Sequence, residues 1–463
     1  MGKVRFLFAL FMAKVATLAL RITRHNGTNF PGIVALRICP QFLHYVSKPK
    51  FIIGVTGTNG KTTTSNLICD ALRSFGREVL NNSAGANIQT GIATLLANSV
   101  TMTNRQPYDT AVLEVDERAS RIIFPYVQPD ILVVTNLSRD SVMRNAHPAF
   151  IAGILERSIP AKTKLVLNAD DLLSAFLCKD NEHTYFGIGP LPSDKKACTN
   201  LIDDMRFCPH CHGRLVYDYN RYSNIGRARC VSCNFHSPDY DFEGTHIDAE
   251  KGTFEVLHDG RSTVYPLLDS SLVNIYNELT LVAVLSTLGY SEEEIQKAVS
   301  SIRITASRLS AVTKAGVTFR AMLAKDRNAY AVSRVFEIIC SHPGEKQILF
   351  YSNNFDDDVK WSENVCWLYD CDFELLTDPS IKKVITTGNR GMDYKLRLQM
   401  AGVPKERIAY VEDPLAGVDA VDFSAGQNIY LLYGTDPRTP APKVRKQILE
   451  RLEALEREEE NHA

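Results

Sequence analysis

The chain has 463 residues, too many for one compact domain, so two or three are expected. Apolar residues make up 45% and charged residues 23%, which excludes a disordered or fibrous chain and allows a sizeable core. A formal net charge of −1 excludes a polyanion held by bulk electrostatics, so no nucleic-acid partner is expected.

In chain order, residues 3–24, KVRFLFALFMAKVATLALRITR, come first, apolar and basic together. A transmembrane span needs about 20 uninterrupted apolar residues, and Lys14 interrupts this run. No small-residue cleavage site follows, so the segment does not read as a secretory signal. Two readings stay open: a helix packed on the protein, or a basic amphipathic face against an anionic membrane surface. Residues 1–50 are therefore expected to form an N-terminal helical segment of a cytoplasmic chain, with a peripheral position at the inner membrane face as the alternative.

The stretch FIIGVTGTNGKTTTSNLICDAL follows, residues 51–72. Phe51 to Val55 is a short β-branched run of the kind a buried parallel strand shows. Leu67, Ile68, Ala71 and Leu72 then recur at helical spacing. Between them lie Gly57, Thr58, Asn59, Gly60, Lys61, Thr62 and Thr63. Glycines there let backbone N–H groups converge on a phosphate at a helix N-terminus. Lys61 would reach the β- and γ-phosphates of ATP, and the Thr62 hydroxyl would take Mg²⁺. Val55 stands where the strict P-loop pattern has glycine. The other reading is a glycine-rich turn without a ligand.

AGANIQTGIATLLANS (84–99) reads as a turn entering a helix. TAVLEVDERASRII (110–123) is a strand ending in Glu114, Asp116 and Glu117. Glu114 is the candidate carboxylate ligand of Mg²⁺, unless the cluster is only a solvated acidic loop. DILVVTNLSRDSV (130–142) and KLVLNADD (164–171) are further buried strands with polar ends. Strands alternating with helices predict an α/β fold with a doubly wound parallel sheet, its site at the strands' carboxyl ends.

Of the eleven cysteines, seven are scattered singly, as reduced thiols are. The other four form Cys208-Pro-His-Cys211 and Cys230-Val-Ser-Cys233, two C-x₂-C pairs separated by 18 residues. This spacing predicts a zinc ribbon, two tight turns offering four thiolates to one tetrahedral Zn²⁺. His210, His212 and His236 are nearby alternatives as ligands. A closed four-cysteine site has no position for substrate, so the metal is expected to stabilise. The intervening HGRLVYDYNRYSNIGRAR alternates as a small hairpin. Residues 203–240 are read as an insertion and 241–265 as a β-rich return.

LVNIYNELTLVAVLSTLGY (272–290) is a helix with Asn274 and Asn277 near its start, ended by Gly289. A boundary is placed near residues 303–316. KQILFYSNNF, KKVITTGNR, RIAYVED and QNIYLLYGT then give four strand-like runs of a second, smaller α/β domain. PKVRKQILERLEALEREEENHA is read as a charged helix fraying into a solvated tail.

TGTNGKTTT behind a strand, NADD after a later strand and NIYN opening a helix together resemble the Mur ligases, ATP-dependent enzymes that join amines to carboxylates. GTNFPGIVALRICP (27–40), GANIQTGIATLL, VLEVDERA, TNLSRD, the four-cysteine ribbon, WLYDCDFE (367–374) and GNRGMDYKLRLQMAGV (388–403) bring the resemblance closer to the MurT family. These are the ligase-like subunits of lipid II isoglutaminyl synthases. The resemblance covers nearly the whole chain. It implies a central P-loop domain over 51–307 with the ribbon inserted at 203–240, and a C-terminal domain over 308–463. The fifty residues ahead of the P-loop leave no room for the uridine-binding domain of Mur ligases that act on soluble UDP-sugars.

On matching positions, the resemblance gives Lys61 and Thr62 to nucleotide phosphates and Mg²⁺, and Glu114 to the second metal position. It sets Asn274 and Asn277 at the helix start near adenine and Arg308 at the junction with the last domain. The chain departs from the family pattern at RDSVMR (139–144), at Lys325-Asp326-Arg327 and at NNFDDDVKWSENVCW (353–367). The implied reaction is amidation of the α-carboxylate of D-glutamate in the lipid II stem peptide. A folylpolyglutamate synthase-like or other Mur-type ligase, or a non-catalytic scaffold of the same fold, are the rival readings. None of the eleven cysteines sits in a glycine-flanked nucleophile turn, so the chain is not expected to hydrolyse glutamine alone, and the resemblance implies a separate GatD-like class I glutaminase as the source of ammonia. The resemblance gives Asp370, with Asp372 as fallback, the role of orienting that partner's histidine. A carboxylate at a strand end, capping a following helix, is the plain alternative.

Overall fold

The structure is a computed structural model. It describes residues 2–25, 27–83, 86–139, 147–268, 271–302, 311–324, 328–351, 365–434, 436 and 439–462. Arg308, Lys325-Asp326-Arg327, all of RDSVMR after Arg139, and residues 353–364 lie outside them. The chain divides into two units. Met1–Ser138, His147–Thr199 and Asp203–Ile304 form the first, and Arg139–Ala146, Asn200–Ile202 and Thr305–Ala463 the second.

The first unit opens with helices α1 (Gly2–Ile22), α2 (Phe30–Ile38) and α3 (Phe42–Tyr45). Strand β1 (Phe51–Thr56) then enters helix α4 (Lys61–Ser74), and β2 (Val79–Asn81) leads to α5 (Gln89–Ser99). Next come β3 (Thr110–Glu114), α6 (Ser120–Ile123), β4 (Ile131–Val134), α7 (Pro148–Ser158), β5 (Lys164–Asn168) and β6 (His183–Ile188). The ribbon strands β7 (Leu215–Tyr222) and β8 (Ile225–Cys230) pair antiparallel as a separate hairpin. Strands β9 (Phe242–Asp248), β10 (Thr253–His258) and β11 (Arg261–Pro266) follow, then helices α8 (Leu272–Thr287) and α9 (Glu292–Ser301).

Among the described residues these strands build a nine-stranded sheet in the order β11-β10-β9-β6-β5-β4-β1-β3-β2. It is parallel from β2 to β9, while β10 and β11 add an antiparallel edge. The residues of β3 and β4 are all buried, as continuous apolar runs in a sheet covered on both faces must be. β1 lies between β3 and β4, with Val55 opposite Glu114 and Thr56 opposite Val134. The chain thus leaves β1 at the point where the strand order reverses, which is where α/β sheets open a crevice. The N-terminal helices share the sheet's core: Phe6, Ala9, Leu10 and Ala13 of α1 are buried with α2, α3 and α5.

A buried polar network fastens the ribbon hairpin to this sheet. Arg221 donates to Asp170 Oδ2 and Tyr276 OH, both at 2.7 Å, and the Tyr276 hydroxyl donates to the same carboxylate oxygen at 2.6 Å. Asp171 accepts from Leu137 N and from Asn224 Nδ2, each at 2.5 Å. The two aspartates of NADD therefore hold the hairpin tip and the loop after β4 together. Burial pushes the Asp171 carboxyl up to about 6. This buried ion pair favours one docking geometry, because either partner alone would be an uncompensated charge.

The second unit holds β12 (Val312–Lys314), β13 (Val317–Leu323), α10 (Ala329–Ser341), β14 (Glu345–Tyr351), β15 (Ile381–Thr387), α11 (Gly391–Met400), β16 (Ile408–Val411), β17 (Gln427–Tyr433) and α12 (Ala441–His462). Its six strands run β12-β13-β17-β14-β15-β16, parallel except for the β12–β13 hairpin. The sequence reading held four strands here and put a boundary where this hairpin lies. Its turn, Ala315-Gly316, has both residues at positive φ, and the strands are too short to show a period. The charged C-terminal run forms helix α12 as expected, but its first turns are packed, with Val444, Ile448 and Leu452 fully buried at four-residue spacing. WLYDCDFE forms two 3₁₀ turns, Cys366–Asp370 and Phe373–Thr377, and not a strand end.

Candidate active site

The loop between β1 and α4 is shaped by two close approaches. Gly57 has φ +125°, and a side chain there would collide with Thr135 Oγ1. Gly60 has φ +89°, and its missing Cβ would meet Asn277 Oδ1 at 2.5 Å. Glycine tolerates both the positive φ and the proximity. The loop after β4 braces this turn: Thr58 N donates to Asn136 O at 2.8 Å and Asn59 N to Asn136 Oδ1 at 3.2 Å. Gly60 is the N-cap of α4 and supplies no side-chain cap. The first-turn N–H groups of Lys61, Thr62 and Thr63 have no intrahelical acceptor and carry the positive end of the helix dipole.

The carboxyl end of β3 supplies the acids. Thr62 Oγ1 donates to Glu114 Oε2 at 2.7 Å, and Asn87 Nδ2 donates to Glu114 Oε1 at 2.8 Å. Glu114 is buried, with its backbone held at both ends by the Asn82 side chain. The acidic cluster is thus no solvated loop. Lys61 Nζ lies 2.8 Å from Glu117 Oε1 and also donates to Gly57 O. Burial works against the Lys61 charge, but Glu117, Glu114 and Asp116 outweigh it and hold its pKa above the usual lysine value. The site therefore sets a fully charged ammonium beside a threonine hydroxyl and a buried carboxylate, the groups a phosphate chain and a hard cation require.

Helix α8 closes the loop from another side. Thr64 Oγ1 donates to Asn277 Oδ1 at 3.1 Å, and Asn277 Nδ2 to Asn274 Oδ1 at 3.2 Å. Glu114, Asn274 and Asn277 therefore converge on the Gly57–Thr63 loop from positions up to two hundred residues apart. Sequence reasoning missed the parts played by Glu117, which holds Lys61, and by Asn136 and Asn87. Glu117 was visible only as one acid among three.

The four cysteines form one cluster. Their Sγ atoms all lie within 4.8 Å of one another, with Cys208–Cys233 at 3.7 Å and Cys211–Cys230 at 3.4 Å. Tetrahedral Zn–S bonds of about 2.3 Å put sulfurs about 3.8 Å apart, so the donor set and spacing fit such an ion. Backbone N–H groups of His210, Gly213 and Ser232 point at the sulfurs of Cys208, Cys211 and Cys230 at 3.3–3.4 Å. The Ser232 N–H lowers the pKa of the Cys230 thiol, while hydrogen bonding among the crowded sulfurs raises those of Cys211 and Cys233. His210, His212 and His236 are not in the cluster; the His210 ring packs on Phe235 instead.

In the second unit, Arg397 of α11 pins the turns that carry Asp370. Its guanidinium donates to Leu368 O, Cys371 O and Glu374. Asp370 is part-exposed, its carboxylate 3.3 Å from Arg139 Nη1. Asp372 is buried and accepts from Asn200 Nδ2 at 2.8 Å and Leu201 N at 2.6 Å.

Comparison with known proteins gives two family matches: the Mur ligase middle domain over residues 55–189 and the MurT ligase C-terminal domain over residues 326–435. The chain is 30% identical over 415 residues to the lipid II isoglutaminyl synthase (glutamine-hydrolyzing) subunit MurT of Streptococcus pneumoniae, covering 88% of this chain and 90% of that one. It is 29% identical over 398 residues to the MurT subunit of Staphylococcus aureus, covering 85% and 88%. Among solved structures it is similar to a pseudomurein peptide ligase type C from Methanothermus fervidus, with TM-score 0.67 and 20% identity over 89% of this chain and 81% of that one.

With a metal among the four thiolates, its binding free energy is folding free energy. Cys233→Ser, or chelation of the unchanged chain, is expected to lower the melting temperature by at least about 4 °C. A metal-free preparation by elemental analysis, melting identically with and without chelator, would contradict a metal at this cluster.

Proposed function

The chain belongs to the MurT family of Mur ligase-like subunits, and from that premise we propose that it is the ATP-dependent amidating subunit of a lipid II isoglutaminyl synthase. The observation that carries the reading is the convergence of Lys61, Thr62 and buried Glu114 on a glycine loop with an uncapped helix N-terminus. The substrates are ATP and the α-carboxylate of D-glutamate in the lipid II stem peptide, met at the inner face of the membrane.

Carboxylate is a poor electrophile, and phosphorylation makes it a good one. A carboxylate oxygen attacks the γ-phosphorus of ATP, breaking its bond to the bridging oxygen and releasing ADP. Ammonia then attacks the carbonyl carbon of the acyl phosphate, a proton is lost, and inorganic phosphate leaves with the carboxylate oxygen. Lys61 holds the β- and γ-phosphates, giving up Glu117 as their charge replaces the carboxylate's. The N–H groups of Lys61, Thr62 and Thr63 at the start of α4 cradle the phosphate chain. Thr62 and Glu114 hold Mg²⁺, which when bound neutralises the phosphate oxygens. Asn274 and Asn277 keep the loop aligned on the nucleotide side, with Arg308 assigned to the junction with the last domain.

We assign Zn²⁺ to Cys208, Cys211, Cys230 and Cys233 as a structural ion. Four thiolates close its coordination, so no step passes through it.

Ammonia is supplied by a GatD-like class I glutaminase subunit in a heterodimer. Asp370 is the residue assigned to orient that partner's histidine. Its part-exposure supports the choice over Asp372, whose two oxygens are engaged by Asn200 and Leu201.

Lys61→Ala is expected to cut ATP turnover by about two to three orders of magnitude in a chain that still folds, at a lower melting temperature because buried Glu117 loses its cation. Phosphate release undiminished in that variant would remove the loop from the mechanism. Asp370→Asn in the complex is expected to lower glutamine-dependent amidation at least about 100-fold and spare amidation with added ammonium. Equal loss of both activities, or loss of neither, would take the orienting role from Asp370.

A further inference from the structure

Helix α1 is apolar on two opposite faces, and only one is used. Phe6, Ala9, Leu10 and Ala13 are buried in the core of the first unit. Val4, Leu7, Phe8, Phe11, Val15, Leu18 and Ile22 are exposed, from 41% at Val15 to 74% at Val4. At 3.6 residues per turn these seven fall in one arc of about 100°, directly opposite the buried four, and run about 27 Å along the axis. A surface helix of a globular protein turns charged and polar residues to this face. Here α2, packed beside α1, adds exposed Phe30 and Ile33. A continuous apolar stripe of that length marks an interaction surface.

Charge selects the occupant. No aspartate or glutamate occurs before Asp70, whereas Lys3, Arg5, Lys14, Arg21, Arg24 and Arg37 all fall on or beside these helices. The chain as a whole carries −1, so the cations are concentrated here. A second copy meeting this face about a two-fold axis would bring the same cations against one another, with no acid before Asp70 to pair them. An anionic bilayer offers both an apolar layer and a negative surface.

We propose that the outward face of α1 is a membrane-docking surface that lies in the plane of an anionic lipid interface. No helix among the described residues is long and apolar enough to cross a membrane, and the inner face of α1 is already committed to the protein core. The helix lies on the bilayer, its stripe among the acyl chains and the exposed Lys3, Arg21 and Arg24 at the phosphates, while Arg5 and Lys14 are held by the backbone oxygens of Ile38 and Val100. A cavity of about 680 Å³ lies at the C-terminal end of α1, lined by Thr17, Arg21, His25, Asn81, Asn82 and Asn98. Its Asn82 holds the backbone of Glu114. The value of such docking rests on the lipid-linked substrate proposed above; binding to lipid does not.

The test is co-sedimentation of the full chain with vesicles of phosphatidylglycerol and phosphatidylcholine, or of phosphatidylcholine alone. The unchanged chain is expected to bind the anionic vesicles at least tenfold more tightly than the neutral ones. Phe8→Glu with Phe11→Glu should lose that binding at least tenfold, with the melting temperature and ammonium-dependent ATP turnover on detergent-dispersed substrate retained. Lys3→Glu with Arg24→Glu, which leaves the stripe intact, should weaken only the anionic arm and flatten its salt dependence. Three results would overturn the proposal: no binding by the unchanged chain, undiminished binding by the phenylalanine variant, or a stripe-dependent dimer with no vesicle binding. Vesicle binding without amidation would leave the surface standing and remove the proposed reaction.

Discussion

Close approach of the loop after β1 to the loops after β3 and β4 is the constraint on which the site depends. Gly57 has no room for a side chain beside Thr135, and Gly60 none beside Asn277. Those gaps let the start of α4 sit against Glu114 and Glu117 at the end of the neighbouring strand. The parallel order β4-β1-β3 brings the three loops to one edge, so sheet topology and site chemistry are one arrangement. The Lys61 charge is balanced by Glu117 at 2.8 Å. A buried cation needs such a partner, and an entering phosphate offers a stronger one.

The ribbon is part of this framework. Arg221 reaches from the hairpin tip to Asp170 and Tyr276, and Tyr276 is the residue before Asn277 on α8. Asp171 holds the hairpin's Asn224 and the backbone of Leu137, next to Ser138, which braces Thr58. The hairpin that carries the cysteine cluster is therefore tied to the same strand ends that carry the Gly57–Thr63 loop.

Much of this was legible because local chemistry announced it. The glycine loop shows in sequence through strand, turn and helix within twenty residues, and the cysteine pairs through their spacing. The pairing of Lys61 with Glu117, and of Arg221 with Asp170, was not legible, because each joins residues about fifty positions apart with no pattern between them. The hairpin of β12 and β13 escaped because three- and seven-residue strands around Ala315-Gly316 give no clear alternation. The strand-end alternative for WLYDCDFE is not what forms: Arg397, 23–30 residues further on, holds it in 3₁₀ turns. In α1 the apolar run was plain, but which half of it would face the core depended on packing that sequence alone does not specify.

The reaction proposed for this site turns on activation of a carboxylate by phosphoryl transfer. The measurement that tests it most directly follows heavy oxygen placed in the α-carboxylate of the stem-peptide glutamate through one turnover with ATP, Mg²⁺ and ammonium. Transfer of a labelled oxygen into inorganic phosphate, in step with amide formation, is the predicted result. Amide formed with unlabelled phosphate, or ATP cleaved with neither amide nor label transfer, would contradict it.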